Sequence, residues 1–362
     1  MRKSFIQLAK GRYPRQAHVD LDGLKDDEIS RLGFDGRASQ LYRRNDPTQF
    51  RATGDFRVRY APVHALPISD GQDASGAPIK MLHNQDGAVY LSTRNEAPPF
   101  FERNVNGDQL FFIHKGSGTF ETEFGPLAYR PGDYIGMPKS ITYRQVPDAP
   151  GGVFLILETA GNLEFPDFGV FGRQSPLDAT LIETPEPKCV EGEPGVEYEI
   201  RVTHGDEHSS LFQDFHPFDV EGWKGDLFPY RFNMEDWNVI LSDTVHLPPP
   251  VSRFHQAPGI DVIHFLPRPA EGKQGAERAP WYHRNADYDE INFFHGGDFM
   301  GQPMPEGLLM HTPQGIHHGI AEKVREMTRA EWEPHARIGW KIISIDSARP
   351  MTPTAAYKAF DK

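Results

Sequence analysis

Apolar positions along the chain come in short runs closed by turn residues. Leu110–His114, Val153–Leu157, Trp237–Leu241, Val262–Leu266 and Trp340–Ile345 are the clearest. Short β-branched or aromatic runs bounded by breakers predict strands. The breakers between them are Pro131-Gly132-Asp133, the turn-rich stretch from Pro147 to Gly152, Pro248-Pro249-Pro250 and Gly296-Gly297-Asp298. Helical periodicity is confined to Asp26–Leu32, Ala321–Met327 and Ala355–Phe360, all short. The pattern predicts an all-β, antiparallel architecture with few short helices. The acidic, proline-rich stretch Thr184–Gly195 reads as a linker. The expected division is therefore 1–165, a linker over 166–200, and 201–362.

Composition narrows the class of function. The 362 residues carry 38 Lys+Arg against 51 Asp+Glu, a net charge of −13, which disfavours a nucleic-acid partner. The 34 Gly and 32 Pro are spread without a repeat, which excludes collagen-like and low-complexity chains. The single cysteine, Cys189, excludes an intrachain disulfide framework and a multi-cysteine metal site. No run reaches the roughly 20 apolar residues of a membrane span, and the N-terminal residues lack a signal-like apolar run. A soluble, cytoplasmic protein is expected. Twelve of the 16 histidines lie at or beyond His204, and all five tryptophans beyond residue 220, so chemistry is expected in the C-terminal half.

One local pattern occurs twice. Asn106-Gly107-Asp108-Gln109-Leu110-Phe111-Phe112 leads through Gly116 to Arg130-Pro131-Gly132-Asp133 and Pro138. Asp287-Tyr288-Asp289-Glu290-Ile291-Asn292-Phe293-Phe294 leads through Gly297 to Pro313-Gln314-Gly315. The second copy adds His283 before the acidic residue and His318 after the last turn. Two imidazoles and one carboxylate on one face of a metal leave adjacent positions open, an arrangement suited to ferrous iron. His283, Glu290 and His318 are the candidate ligands. In the first copy Asn104 and Asn106 stand at the histidine position, Gln109 at the carboxylate and Tyr143 at the later histidine, so that half is expected to bind no metal. His317 adjoins His318 and points the other way if the stretch is extended. His255, His264 and His295 read as structural.

The His283…Glu290…Gly297 and Pro313-x-Gly315-x-x-His318 spacings resemble the two segments of the cupin superfamily. The whole chain resembles the homogentisate 1,2-dioxygenase family. The matching pieces include Gly11-Arg12, Pro14-Arg15-Gln16-Ala17-His18, Leu41-Tyr42-Arg43-Arg44, Gly107-Asp108-Gln109-Leu110 and His216-Pro217-Phe218-Asp219-Val220-x-Gly222-Trp223-x-Gly225. Phe265-Leu266-Pro267-Arg268 and Tyr282-His283-Arg284-Asn285 complete the set. The resemblance implies two cupin jelly-roll β-barrels in one chain, the N-terminal one structural and the C-terminal one holding one Fe(II). It also implies an oxidoreductase that opens a para-dihydroxylated aromatic acid, homogentisate-like, with O₂, in aromatic catabolism of the tyrosine-degradation type. A homo-oligomer, trimer or dimer of trimers, comes with it.

Carried over residue by residue, the ligands fall on His283, Glu290 and His318, although Asp289 is the ungapped match for the carboxylate. Glu290 keeps the cupin spacing to Gly297. His246, before the triple proline, falls near the family's substrate-side acid/base histidine, and His311 near one that binds substrate or orders the last ligand. Phe299 departs from the tyrosine that some members use for the substrate carboxylate, so Arg268 or Arg284 would take that contact. Alternatively, the substrate is a gentisate- or hydroquinone-type compound. The rival readings are a Zn²⁺ or Mn²⁺ cupin hydrolase or isomerase, and a non-enzymatic cupin binding protein.

Overall fold

A computed structural model describes residues 8–31, 36–66, 77–167, 169 and 176–360. Strands dominate, and the α-helices among the described residues are Glu322–Ala330 and Ala355–Lys358. The chain is all-β, as its short apolar runs require. Leu110–His114 lies in the strand Asp108–Lys115, Val153–Leu157 in Gly152–Thr159, Val262–Leu266 largely in Ile260–Phe265, and Trp340–Ile345 largely in Lys341–Ser347. No helix of the described residues is long and apolar enough to cross a membrane.

Two expected elements differ. Asp26–Leu32 was expected to be helical, but Lys25–Ser30 is a strand, antiparallel to Ala38–Arg43 and parallel to Tyr282–Asn285. Its acidic side chains are buried against partners. Asp26 bonds His18 at 2.7 Å, and Asp27 pairs with Arg43 at 2.5 Å and His317 at 3.1 Å. Those tertiary bonds override local helical preference. Trp237–Leu241 is not a strand. Asn233 and Asp236 form a capping box that starts a 3-10 turn at Met234–Asp236, and the chain beyond Trp237 runs irregularly.

Backbone contacts gather the chain into two compact units of non-contiguous segments. The first takes residues up to Tyr60, Val239–Phe254 and Asp261–Met351; the second takes Ala61–Asn238, His255–Ile260 and residues from Thr352 onward. This interleaving differs from the contiguous division expected. The reason is the Lys25–Ser30 strand, whose parallel pairing with Tyr282–Asn285 ties the N-terminal segment to the far part of the chain. The stretch read as a linker is part of the second unit. Glu183 and Arg231 exchange backbone hydrogen bonds of 2.8 Å, and Val190 packs on Phe101, Ile200 and Phe218.

One six-stranded sheet runs Arg253–Ala257, Ile260–Phe265, Lys341–Ser347, Asp289–Gly296, Leu308–Thr312, Arg59–Pro62, and its strands Lys341–Ser347, Asp289–Gly296 and Leu308–Thr312 lie in the first unit. Its apolar core includes Phe294, Phe299, Trp340 and Ile342. In the second unit, Asp108–Lys115 pairs with Asp133–Met137 on one side and Gly152–Thr159 on the other. A six-stranded sheet containing Phe101–Asn104, Thr142–Pro147 and Tyr198–His204 belongs to the same unit. Phe111, Phe120, Tyr143 and Phe154 fill its core.

His255 makes the second unit acid-sensitive. It is fully buried, stacks near Tyr230 and Phe232, and lies 2.5 Å from the Tyr230 hydroxyl. Burial pushes its pKa down to about 3. The folded state therefore keeps the ring neutral, while the unfolded chain takes a proton below the ordinary value near 6.5. The stability that His255 permits is intact above that value and falls as pH drops toward 3. Between pH 7 and pH 5, this one group should lower stability by about 2 kcal/mol. Urea midpoints at the two pH values test this, and in His255→Phe the pH-dependent loss should shrink by that amount.

Candidate metal centre

The strand Asp289–Gly296 lies between Leu308–Thr312 and Lys341–Ser347, with Glu290 opposite Thr312 and Asp346. Side chains alternate between sheet faces, so Glu290 and Asn292 share one face and Asp289 takes the other. His283 comes from the Tyr282–Asn285 strand, and His318 from the loop before the Glu322–Ala330 helix. The two meet through reciprocal backbone hydrogen bonds, His283 N–H to His318 O and His318 N–H to His283 O, both 3.0 Å. The turn between the strands depends on Gly297 at φ +88°, where a Cβ would lie 2.1 Å from the Gly339 carbonyl oxygen.

That backbone pair puts the rings 4.0 Å apart between centroids. Each imidazole directs Nδ1 at a backbone carbonyl, His283 at Trp281 (3.3 Å) and His318 at Ile316 (3.0 Å). Donation there leaves the Nε2 atoms facing inward, each 3.2 Å from Glu290 Oε2. Asn292 donates to Glu290 Oε1 at 2.6 Å and fixes the carboxylate. Donor atoms of His283, Glu290 and His318 lie within 4.8 Å of one another. Two imidazole nitrogens aimed at one carboxylate oxygen suit a divalent cation.

Burial pushes the Glu290 carboxyl up, yet the charge of His318 and hydrogen bonds from both histidines outweigh it and hold it well below the usual range. Burial and then His318 lower the His283 pKa. For His318 burial acts downward, but Glu290 reverses it and the net shift is upward.

The centre opens on a cavity of about 580 Å³. Trp281, Phe294, Phe299 and Trp340 supply aromatic wall, and Asn292, Thr312, Ser344 and Asp346 supply polar groups. Asp346 is buried, and burial together with Glu290 and Asp261 holds its carboxyl well above the usual range.

The structure brings together His283, Glu290, His318, His246 and Phe299 at this cavity. His246 is buried, with Nδ1 3.1 Å from Glu271 and 3.0 Å from Arg268. Burial lowers its pKa, and Glu271 only partly offsets this. Phe299 packs 5.2 Å from Trp340 as apolar wall. His311 is not brought to the cavity. It lies on the opposite face, 2.8 Å from Asp289, which also accepts from Gln314 N–H (3.1 Å) and Met351 N–H (2.8 Å). Asp289 thus fastens the turn carrying His318, and Glu290 is the carboxylate that faces the histidines. Arg268 is held by Glu271 and His246 away from the lining, and Arg284 does not line it either. His317 is turned to Asp27 at 3.1 Å. Sequence reasoning missed Asn292, Ser344, Asp346 and Glu271. For Ser344 and Asp346 a signal existed, since alternate positions of Lys341–Ser347 break an otherwise apolar strand.

The first copy of the pattern aligns differently from expectation. Glu102 pairs in register with Tyr143, as His283 does with His318, and Gln109 pairs with Glu158, as Glu290 does with Asp346. Glu102, rather than Asn104 or Asn106, therefore stands at the His283 position, and Asn104 matches Asn285.

Strand-built units with a two-histidine, one-carboxylate cluster define a β-fold protein with a candidate divalent-metal site. Comparison with known proteins narrows this. The family model described as "Homogentisate 1,2-dioxygenase N-terminal" matches residues 76–234. A protein of Saccharolobus solfataricus named as a dioxygenase is 25% identical over 334 residues, 84% of this chain and 86% of that one. The homogentisate 1,2-dioxygenase of Oryza sativa is 27% identical over 302 residues, 78% of this chain and 62% of that one. That of Emericella nidulans is 26% identical over 243 residues, 64% and 54%. The chain is similar to these homogentisate 1,2-dioxygenases over 64 to 78% of its own length, at 24 to 27% identity. It spans 54 to 63% of the length of the homogentisate 1,2-dioxygenases it matches. Among solved structures, a cupin 2 conserved barrel domain protein from Leptotrichia buccalis aligns over 82% of this chain at 11% identity and a TM-score of 0.37.

The two neighbouring carboxylates should separate cleanly by mutation. Glu290→Gln removes the negative donor and should cut ferrous-ion affinity by about 10²-fold or more, with the melting temperature of the metal-free protein little changed. Asp289→Asn should instead lower stability by about 1–3 kcal/mol while leaving the donor set in place. Asn292→Ala should weaken metal binding by about 10–100-fold through loss of carboxylate orientation. Metal titration and thermal unfolding of the three variants check all of these.

Proposed function

We propose that this protein is an Fe(II)-dependent dioxygenase that opens the ring of a para-dihydroxylated aromatic with O₂. The observation that carries the reading is the convergence of His283, Glu290 and His318 at a cavity walled by aromatic side chains. Ferrous iron held by three protein ligands would supply adjacent positions for a substrate oxygen and O₂.

The chain's own residues prepare such a substrate. His246 Nδ1 lies within reach of both Glu271 and Arg268, and the tautomer that donates from Nδ1 to Glu271 leaves Nε2 free to accept. Burial keeps the ring neutral, so it can accept the phenolic proton as the substrate binds. Trp281, Phe294 and Trp340 hold the ring and exclude water, which favours a single bound geometry. Asn292 keeps Glu290 from swinging toward the substrate.

Charge at the cavity bears on which aromatic is used. Among the described lining residues there is no lysine or arginine, whereas the Glu290 carboxylate, held well below the usual range, is present. A substrate carboxylate would enter without a cationic side chain to receive it, at a desolvation cost. An uncharged hydroquinone-type substrate fits this lining better than homogentisate or gentisate. The second unit, in this reading, is structural with respect to the reaction. The resemblance also brings a trimer-based homo-oligomer and a cytoplasmic setting into the proposal.

Oxygen uptake by the ferrous-loaded protein tests the function. We expect uptake with hydroquinone at a kcat/KM at least about tenfold above that with homogentisate, a difference of roughly 1.4 kcal/mol. Uptake should vanish in Glu290→Gln and fall by about 10²–10⁴-fold in His246→Ala. Zinc-loaded protein that turns over an ester or sugar substrate, with no ferrous-dependent uptake, would replace this reading with Lewis-acid chemistry.

A further inference from the structure

The second unit has a cavity of its own, about 260 Å³, at the place equivalent to the metal centre. That is room for roughly nine waters, or a molecule of about ten non-hydrogen atoms. Its lining has exchanged metal donors for groups that bind organic molecules. At the positions matching His283, Glu290 and His318 stand Glu102, Gln109 and Tyr143, and Tyr143 donates to Gln109 at 3.2 Å. The buried guanidinium of Arg94 lies 3.4 Å from Glu102, so a cation is already supplied there by the chain.

The opposite side of the lining has different chemistry. Arg94 ends the strand Gly87–Arg94, whereas Glu158 pairs near that strand's start, opposite Ala88. Glu158 accepts from Asn104 at 2.7 Å and from the Tyr90 hydroxyl at 3.3 Å. Burial outweighs these bonds and raises its carboxyl above the ordinary range. Between the two, Phe111 and Ile156 contribute apolar wall. On the adjoining strand, the Arg201 guanidinium stacks 3.6 Å from the Phe100 ring centre.

We propose that this cavity is a second binding site, for a small hydroxylated organic carboxylate. Its anionic end pairs with Arg94, its hydroxyl reaches the Glu158–Asn104–Tyr90 group, and its hydrocarbon part lies on Phe111 and Ile156. A guanidinium matches a carboxylate in planar geometry and charge. The carboxyl and amide give a hydroxyl both an acceptor and a donor. A bare metal ion fits less well, because Arg94 already pairs with Glu102 and an amide and a phenol are weak ligands.

Calorimetric titration with 4-hydroxybenzoate tests the site in full-length protein. His283→Ala removes the metal centre without touching this cavity, and should still bind the probe. Arg94→Met removes the anion partner, and Thr203→Trp fills the lining from the Tyr198–His204 strand without changing charge. Each should weaken binding more than about tenfold in the His283→Ala background, and the methyl ester of the probe should bind more than about tenfold more weakly than the acid. Should Arg94→Met fail to fold, Thr203→Trp decides. Absence of binding to His283→Ala up to about 10 mM overturns the proposal. So does binding that Thr203→Trp weakens less than tenfold, or an ester that binds as well as the acid.

Discussion

The candidate metal centre rests on the pair of backbone hydrogen bonds between His283 and His318, each 3.0 Å. Side chains as long as histidine cannot by themselves hold two nitrogens in one geometry against rotamer entropy. Here the backbone does it, since reciprocal bonding fixes both Cα positions and each Nδ1 is turned to a carbonyl. The rest of the first unit braces those two positions. The Lys25–Ser30 strand pairs in parallel with the His283 strand, placing Glu28 opposite His283. Asp27 on that strand bonds His317, next to His318. Asp289 takes up the backbone of Gln314 and Met351 from the opposite sheet face. Buried carboxylates are costly when unpaired, and these are paired, so they act as specific fasteners of the turn and strand they touch.

The second unit repeats the frame with other side chains. Glu102 and Tyr143 are in register as His283 and His318 are, and Asp108 accepts Lys139 N–H and Leu163 N–H much as Asp289 accepts Gln314 and Met351. What changed is the inward set. A carboxylate there has an arginine for its counter-charge, and a phenol and an amide bond each other. Both solutions obey the rule that a buried charge needs a partner, one by a guanidinium from a neighbouring strand and the other by a donor set shaped for a cation.

Much of this was legible in the sequence. Short apolar runs between glycine and proline turns gave away the strands, and the spacing of His283, Glu290, Gly297 and His318 marked the cluster. Composition could not reveal the pairing of Lys25–Ser30. Its Asp26 and Asp27 look like solvated helix residues until His18, Arg43 and His317 arrive from distant positions. Spacing to Gly297 favoured Glu290 over Asp289, and the pleat gives the reason that Glu290 faces the histidines, because adjacent residues in a strand face opposite ways. His311 and Arg268 were expected near a bound substrate, and neither lines the cavity. Sequence proximity to a ligand or an acid/base residue does not fix the face on which a side chain emerges.

Register across three strands also sets a direction inside the metal-site cavity. The row Thr312, Glu290, Asp346 is polar and adjoins the histidines. The next inward row is mixed, Met310, Asn292, Ser344, and the one after it is apolar, Leu308, Phe294, Ile342. Polarity thus falls steadily along the strands, away from the metal donors. A bound molecule gains most by placing its oxygen atoms at the first row and its hydrocarbon at the third. An aromatic diol satisfies that gradient when one hydroxyl reaches the donors and the ring lies along Phe294 and Ile342. Its second hydroxyl must then find a partner in the middle row or on the wall carrying His246. Such a gradient would orient a bound molecule, and it arises from the alternation and pairing of these three strands.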